Sequence, residues 1–237
     1  MPDQHIMRAF DRDLEAIQAK IMKMGGLVEA AIHESAKSLN KRDDELAARV
    51  READKLIDAL EEEVNHDAAQ VLALRQPIAS DLRTVLSVMK ISGNLERVGD
   101  YAKNLAKRTA VLVQMPAIEG ASGAIKRMAR EVERMLKDVL DAYVHQDVAL
   151  AHDVRARDHE VDQMYNALFR EFLTFMMEDP RNITACMHLH FIAKNIERMG
   201  DHVTSIAEQV IYLVTGELPN DERAKLDYIA ESQEAEE

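Results

Sequence analysis

Apolar residues return at steps of three and four along almost the whole chain. Ile6, Phe10, Leu14, Ile17, Ile21, Met24, Val28 and Ile32 form one such stripe, the spacing of an amphipathic helix. A second passes through Leu46, Val50, Ala53, Ile57, Leu60 and Val64. A third follows Leu82, Val85, Met89, Ile91, Leu95, Val98, Ala102 and Leu105. The spacing predicts a first helix over about 6–39, with a kink at Gly25-Gly26. A second starts at Asp43 and ends before Pro77, and a third starts at Ser80 and fades at Met115-Pro116. Asp43 and Ser80 suit N-caps, where a short polar side chain accepts from a free backbone N–H. Three more helices are predicted, from about Ile125 to Val144, from Asp147 to about Met177, and from Pro180 to about Val214.

The pattern is doubled. Asn94-Leu-Glu96-Arg97-Val-Gly99-Asp100 returns as Asn195-Ile-Glu197-Arg198-Met-Gly200-Asp201, an offset of 101 residues with only apolar exchanges. Upstream, at an offset of 104, Met24, Val28, Glu29, Asp43, Leu46, Ala47, Val50, Arg51, Asp54 and Asp58 match Met128, Val132, Glu133, Asp147, Leu150, Ala151, Val154, Arg155, Asp158 and Asp162. Pro77 and Pro180 are punctuated alike, as are Pro116 and Pro219. Each half therefore holds three helices joined by short turns, which make antiparallel neighbours. The fold class expected is all-α: two tandem three-helix bundles related by a pseudo-twofold. The first spans 5–116 and the second 117–219, with linker character at Ala117–Gly123. Residues 220–237 are expected to hold a short helix and an acidic tail.

Residues four apart share a helix face. Each half thus carries two acidic pairs, Asp54/Asp58 with Glu96/Asp100, and Asp158/Asp162 with Glu197/Asp201. Taken at 100° per residue, Glu96 and Asp100 fall roughly 140–180° from the apolar stripe, and Asp54 and Asp58 roughly 80–120°. The carboxylates are therefore expected outside the bundle cores, facing solvent or a groove between helices. Like charges at this spacing cost a few tenths of a kcal/mol per pair. Arg97 and Arg198 are candidates to offset that. Bound cations are better ones, because paired carboxylates make a hard, oxygen-rich site. The bland alternative is a solvated acidic face, common in a chain with 43 acidic residues. Gly99 and Gly200 stand one residue before the second acid. Glycine inside a helix costs about 1 kcal/mol, so a close approach by another backbone or a ligand is expected there.

Composition narrows the readings. Aromatic residues are 4%, there is no Trp, and Gly and Pro number 8 and 5. The net charge of −13 disfavours nucleic acid, whose phosphates need a basic surface, and non-specific docking on an anionic bilayer. Cys186 is the sole cysteine, so no internal disulfide forms and a cytoplasmic setting is expected. No signal segment and no apolar run of about 18 residues is seen, so no membrane insertion is expected.

Other chemistry is sparse. Glu63-x-x-His66 has the spacing of a di-iron carboxylate site, but that site needs two such motifs. Cys186 and His190 share a helix face and read as packing residues. His202 follows Asp201, but its counterpart Tyr101 argues against a shared ligand role. No phosphate loop or nucleophile motif is present. An enzyme with a carboxylate-bridged metal centre and a metal-free helical scaffold stand as rivals to a metal-binding adaptor.

The doubled Glu-Arg-x-Gly-Asp stretch, the Asp-x-x-x-Asp pairs and Pro77-Ile-Ala-Ser-Asp81-Leu82-Arg83 together resemble the PhoU family over about residues 5–216. The resemblance implies two pseudo-symmetric three-helix bundles and metal ions on the acidic pairs. The residues are Asp54, Asp58, Glu96, Asp100, Asp158, Asp162, Glu197 and Asp201; the metal is divalent or trivalent, with Fe, Mn, Mg or Zn as candidates. It also implies a negative regulator of phosphate uptake and of the phosphate-starvation response, not an enzyme. The expected partners are the ATPase subunit of the phosphate ABC transporter, a sensor histidine kinase and a second copy in a homodimer. Two departures stand out. Asn182-Ile183-Thr184 replaces the Asp-Leu-Arg element in the second half, and Ser205 replaces Asn104, so the two metal sites are expected to differ in occupancy.

Overall fold

The computed structural model describes the backbone of residues 2–219 and the side chains of residues 10–219. It is helical throughout, with no strand among the described residues. The helices are α1 (Pro2–Lys41), α2 (Asp44–Arg75), α3 (Ser80–Leu112), α4 (Ala121–His145), α5 (Val148–Glu178) and α6 (Ile183–Thr215). One 3-10 turn, Pro180–Asn182, leads into α6. The expectations for 220–237 and for the Ile6 side chain lie outside the described residues.

Helices α1, α2 and α3 pack on one another, as do α4, α5 and α6; the two groups join along α3–α6 and α1–α4. Helices α3 and α6 run antiparallel. Arg83 meets Leu213, Asn94 meets His202 and Arg108 meets His188, so numbers rise on one helix as they fall on the other. The pseudo-twofold therefore passes between the two Glu-Arg-x-Gly-Asp copies. The stripes read from the sequence form one continuous interior, except that Ala53 and Leu82, counted in the second and third stripes, are exposed. Ile21, Met24, Val28, Ile91, Leu95, Val98, Ile192, Ile196, Met199 and Val203 are all fully buried.

Local chemistry sets the helix ends. The Asp43 carboxylate accepts from Leu46 N at 2.9 Å and its counterpart Asp147 from Leu150 N at 3.0 Å, the capping expected at Asp43. Ser80 is not a cap: it is the first helical residue, and Ala79, at φ 49°, holds the cap position with no side-chain bond. The C-termini of α3 and α6 are closed by arginines from unrelated places. Arg83 Nε donates to Leu213 O at 3.1 Å. At the matching end of α3, Arg42 Nη2 donates to the carbonyls of Leu112, Val113 and Met115 at 3.0, 2.9 and 2.6 Å. The Asp-Leu-Arg element missing from the second half is thus replaced in its structural role by Arg42. Helix α1 is one continuous element through Gly25-Gly26. Gly25 is there because α4 comes close: a Cβ on it would lie 2.5 Å from Leu140 Cδ1.

Candidate metal-binding seams

Asp54, Asp58, Glu96 and Asp100 share one seam between α2 and α3, and in the second repeat Asp158 of α5 lies against α6 at Gly200. In the first, Gly99 lets α2 approach α3. A Cβ on Gly99 would stand 3.0 Å from Ile57 Cδ1 and 3.6 Å from Asp54 Oδ1. In the second, a Cβ on Gly200 would meet Asp158 Oδ1 at 3.2 Å and Val161 Cγ1 at 3.5 Å. The close approach inferred from the mid-helix glycines is present in both repeats.

That approach corrects one expectation. Asp54 is only 3% exposed, Asp158 8% and Glu197 8%, so these three are buried and do not line an outer face. Helical phase places a residue relative to its own helix. It does not register a partner helix whose missing side chain lets it close over the flank. Glu197 is covered for a different reason. Lys194 pairs with its Oε1 at 2.8 Å and lies over the Tyr165 ring, 5.1 Å from the centroid. The counterparts of Lys194 and Tyr165 are Gly93 and Glu61, and Glu96 retains 23% of its side-chain exposure. Asp58, Asp100, Asp162 and Asp201 are half-buried.

The first seam forms one electrostatic unit. Burial pushes the Asp54 carboxyl above its ordinary value against the pull of Lys103, with Asp58 and Asp100 adding to the rise. Glu96 is pushed up to about 7, first by burial and then by Asp100, with Asp58 also contributing. Lys103 is the residue missed in the sequence. Its Nζ lies 2.5 Å from Asp54 Oδ2 and 3.2 Å from Asp100 Oδ1. Its hydrogen bond to Asp54 holds the ammonium charged, above the ordinary lysine value. The i,i+3 spacing from Asp100 was the available signal. Arg97, the expected counter-charge, stays exposed, 3.6 Å from Glu96 and 3.9 Å from Asp100. Arg198 stands 4.0 Å from Glu197.

As the side chains stand, no three His, Cys, Asp or Glu groups among the described residues converge as a metal-holding set. The donor chemistry nevertheless fits a hard cation. Asp54 Oδ1 and Glu197 Oε2 are buried and receive no hydrogen bond, and a buried carboxylate oxygen without a donor is costly. The surroundings supply further oxygens, the ligand type of Mg, Mn, Ca and Fe.

The remaining candidates are placed as follows. His66 is exposed, beside Gln70. Cys186 is fully buried. His190 sits among the rings of Tyr165, Phe169 and Phe191; burial and then Lys194 lower its basicity. His202 contacts the Tyr101 ring, with centroids 5.7 Å apart.

A twice-repeated three-helix unit with an acidic seam in each copy defines a duplicated helical-bundle protein. The PhoU domain model matches residues 21–109 and 125–210, so the chain belongs to the PhoU family. It is 43% identical to the phosphate-specific transport system accessory protein PhoU homolog of Caulobacter vibrioides, over 96% of this chain and 99% of that one. The homolog of the same name from Zymomonas mobilis is 48% identical, over 93% of each chain. Among solved structures, PhoU from Pseudomonas aeruginosa superposes with a TM-score of 0.85 at 37% identity, covering 88% of this chain and all of that one. The phosphate transport system regulatory protein PhoU from Streptococcus pneumoniae gives 0.81 at 29%, covering 90% of this chain and all of that one.

Proposed function

We propose that this protein is a metal-binding regulatory adaptor of phosphate homeostasis. In this reading it restrains phosphate uptake and the phosphate-starvation response when phosphate is plentiful. It does so through contacts with the ATPase subunit of a phosphate ABC transporter and with a sensor histidine kinase. It works in the cytoplasm as a homodimer. The relatives' names support a place beside a phosphate-specific transport system. Among the described residues no helix is long and apolar enough to cross a membrane, consistent with action through protein partners.

One observation carries the metal part of the reading: Asp54, sealed in a seam with Asp58, Glu96 and Asp100, has a buried oxygen with no donor. Asp54, Asp58, Glu96 and Asp100 would hold an ion in the first seam, and Asp158, Asp162, Glu197 and Asp201 in the second. A cation bound there supplies positive charge that neutralises the acids and ties neighbouring helices together. The adaptor part draws on two exposed apolar rows. Phe169, Leu173 and Met177 step along α5, and Ile183, Met187 and Phe191 along α6, each row on one face of its helix. Rows of this kind mark protein-binding surfaces.

The test combines chemistry and genetics. Replacing Glu96, Asp100, Glu197 and Asp201 with Ala should remove bound Mn or Fe, read by elemental analysis of protein purified with the metal present. Unchanged metal content refutes the ligand assignment. Deleting the gene should switch on phosphate-starvation genes in high phosphate; continued repression refutes the regulatory role. Pull-down of the transporter ATPase and of the kinase checks the partners. The metal-free scaffold remains the second reading, favoured by the lysine that already neutralises part of the first seam.

A further inference from the structure

A cavity of about 220 Å3 lies where the C-terminal ends of α1 and α3 meet the N-terminal ends of α4 and α6. Leu39, Leu112, Ala121 and Leu189, all buried, form its walls together with Ile118 of the linker. Arg42 is exposed and stands at its mouth. It is the one charged residue among the described residues that line the cavity.

Protein interiors rarely leave a void of this size. The opposite end of the molecule is packed differently. The pseudo-twofold exchanges α1 with α4, and the turns after these helices are built alike. Arg42 and Gln146 both have φ 54°, and Asp43 and Asp147 cap the helices that follow. At the offset of 104, Leu39 corresponds to Tyr143, and Ala121 to Ile17. Both larger side chains are buried. A phenol ring and a branched aliphatic chain thus occupy positions that carry only a leucine and an alanine at the linker end.

We propose that this cavity is a binding site for a small aromatic carboxylate, a ligand with one ring and one anionic group. The site is separate from the acidic seams and does not depend on the metal-binding reading.

Size and charge select that class. An apolar cavity of ~150 Å3 holds a benzene molecule, so this one has space for a ring with a short substituent. Burial of the ring against aliphatic walls supplies the affinity. The carboxylate is left at the mouth, where it meets the guanidinium of Arg42. Arg42 Nη2 is held by the carbonyls of Leu112, Val113 and Met115, so the charge is in place before a ligand arrives. These neutral acceptors do not cancel it. In a chain of net charge −13, a mouth with an arginine and no acid admits an anion. The ligand would lie between helices of both repeats and stiffen their junction.

The experiment is titration of the full chain with phenylacetate, followed by proton–nitrogen NMR and calorimetry. Benzyl alcohol and hexanoate are the controls that lack the charge and the ring. The wild type is expected to bind phenylacetate saturably, with amide shifts centred on Leu39, Ala121 and Leu189, and each control at least about fivefold more weakly. Leu39→Tyr and Ala121→Ile, each of which imports the residue of the opposite end, should abolish binding. Arg42→Gln, which imports the residue at 146, should weaken phenylacetate about fivefold and leave benzyl alcohol unchanged. It carries the test if the two filling variants fail to fold. No saturable binding of phenylacetate overturns the proposal, as does binding that both filling variants leave unchanged. Benzyl alcohol bound as tightly as phenylacetate overturns the anionic part, and hexanoate bound as tightly overturns the aromatic part.

Discussion

His202 donates its Nδ1–H to the side-chain carbonyl of Asn94 at 2.8 Å, joining the residue after the second motif to the residue that opens the first. The orientation of the Asn94 amide is fixed, since its Nδ2 donates to Lys90 O at 2.8 Å; the oxygen therefore faces α6 and His202 must carry its proton on Nδ1. Asn94→Ala should cost about 1 kcal/mol in urea unfolding, while Asn94→Asp, which keeps the acceptor, should cost less. Equal losses in the two variants would show that the bond contributes nothing across the repeats.

Two adjacent glycines on α1 should respond with opposite signs. A Cβ at Gly25 meets Leu140 Cδ1 at 2.5 Å, whereas one at Gly26 meets nothing within 4 Å. Leu140 is itself buried and has little room to yield. Gly25→Ala should destabilise by about 1–3 kcal/mol through overpacking, and Gly26→Ala should stabilise by up to about 1 kcal/mol through helix propensity. Denaturant midpoints of the two variants, read at equal slope, check both signs.

Glu96 makes the metal-free protein sensitive to pH. Its folded pKa of about 7 lies above its ordinary 4.5, so the folded state holds the proton more tightly than the unfolded chain. Its contribution to stability is then largest below about pH 4.5, falls as pH rises towards 7, and levels off above. Glu96→Gln should match the wild type at pH 4.5 and exceed it by about 1–3 kcal/mol at pH 8, after discount for partial exposure. Thermal unfolding of both proteins across that range, in the presence of chelator, measures the difference.

The arginine closures of α3 and α6 should be separable. Arg83→Ala frees Leu213 O and Arg42→Ala frees the last carbonyls of α3, each at a cost of about 1–2 kcal/mol. Gly216→Ala should be at least as costly, because its φ is +82° and the new Cβ would lie 2.5 Å from Arg83 Nη1. Hydrogen exchange at the C-terminal turn of α6 should quicken in Arg83→Ala and stay unchanged in Arg42→Ala.

Much of this organisation was legible in the sequence. The apolar stripes located every long helix, Asp43 and Asp147 marked their true starts, and the mid-helix glycines pointed to close approach beside the acids. The misses share one cause. Periodicity describes a helix by itself, whereas the burial of Asp54 and Asp158 depends on a second helix closing over the flank. Glu197 is covered by Tyr165 and Lys194, which have no equivalents in the first repeat. Ser80 had a capping side chain but lay one residue inside the helix. Lys103 looked like an ordinary i,i+3 partner of Asp100; only the packing of α2 on α3 brings it to Asp54 as well.

The antiparallel crossing of α3 and α6 has a consequence for the ancestry of the molecule. Two separate single-repeat chains meeting across the same crossing would form a true symmetric dimer. Every substitution at their contact would then be present twice, and any advantage confined to one side would be shared or lost. Covalent fusion lifts that restriction. Asn94 can face a histidine while Asn195 and Tyr101 occupy the mirror position, and a lysine can enter one half while a threonine remains in the other. What began as two identical partners becomes a single polypeptide whose halves are free to specialise.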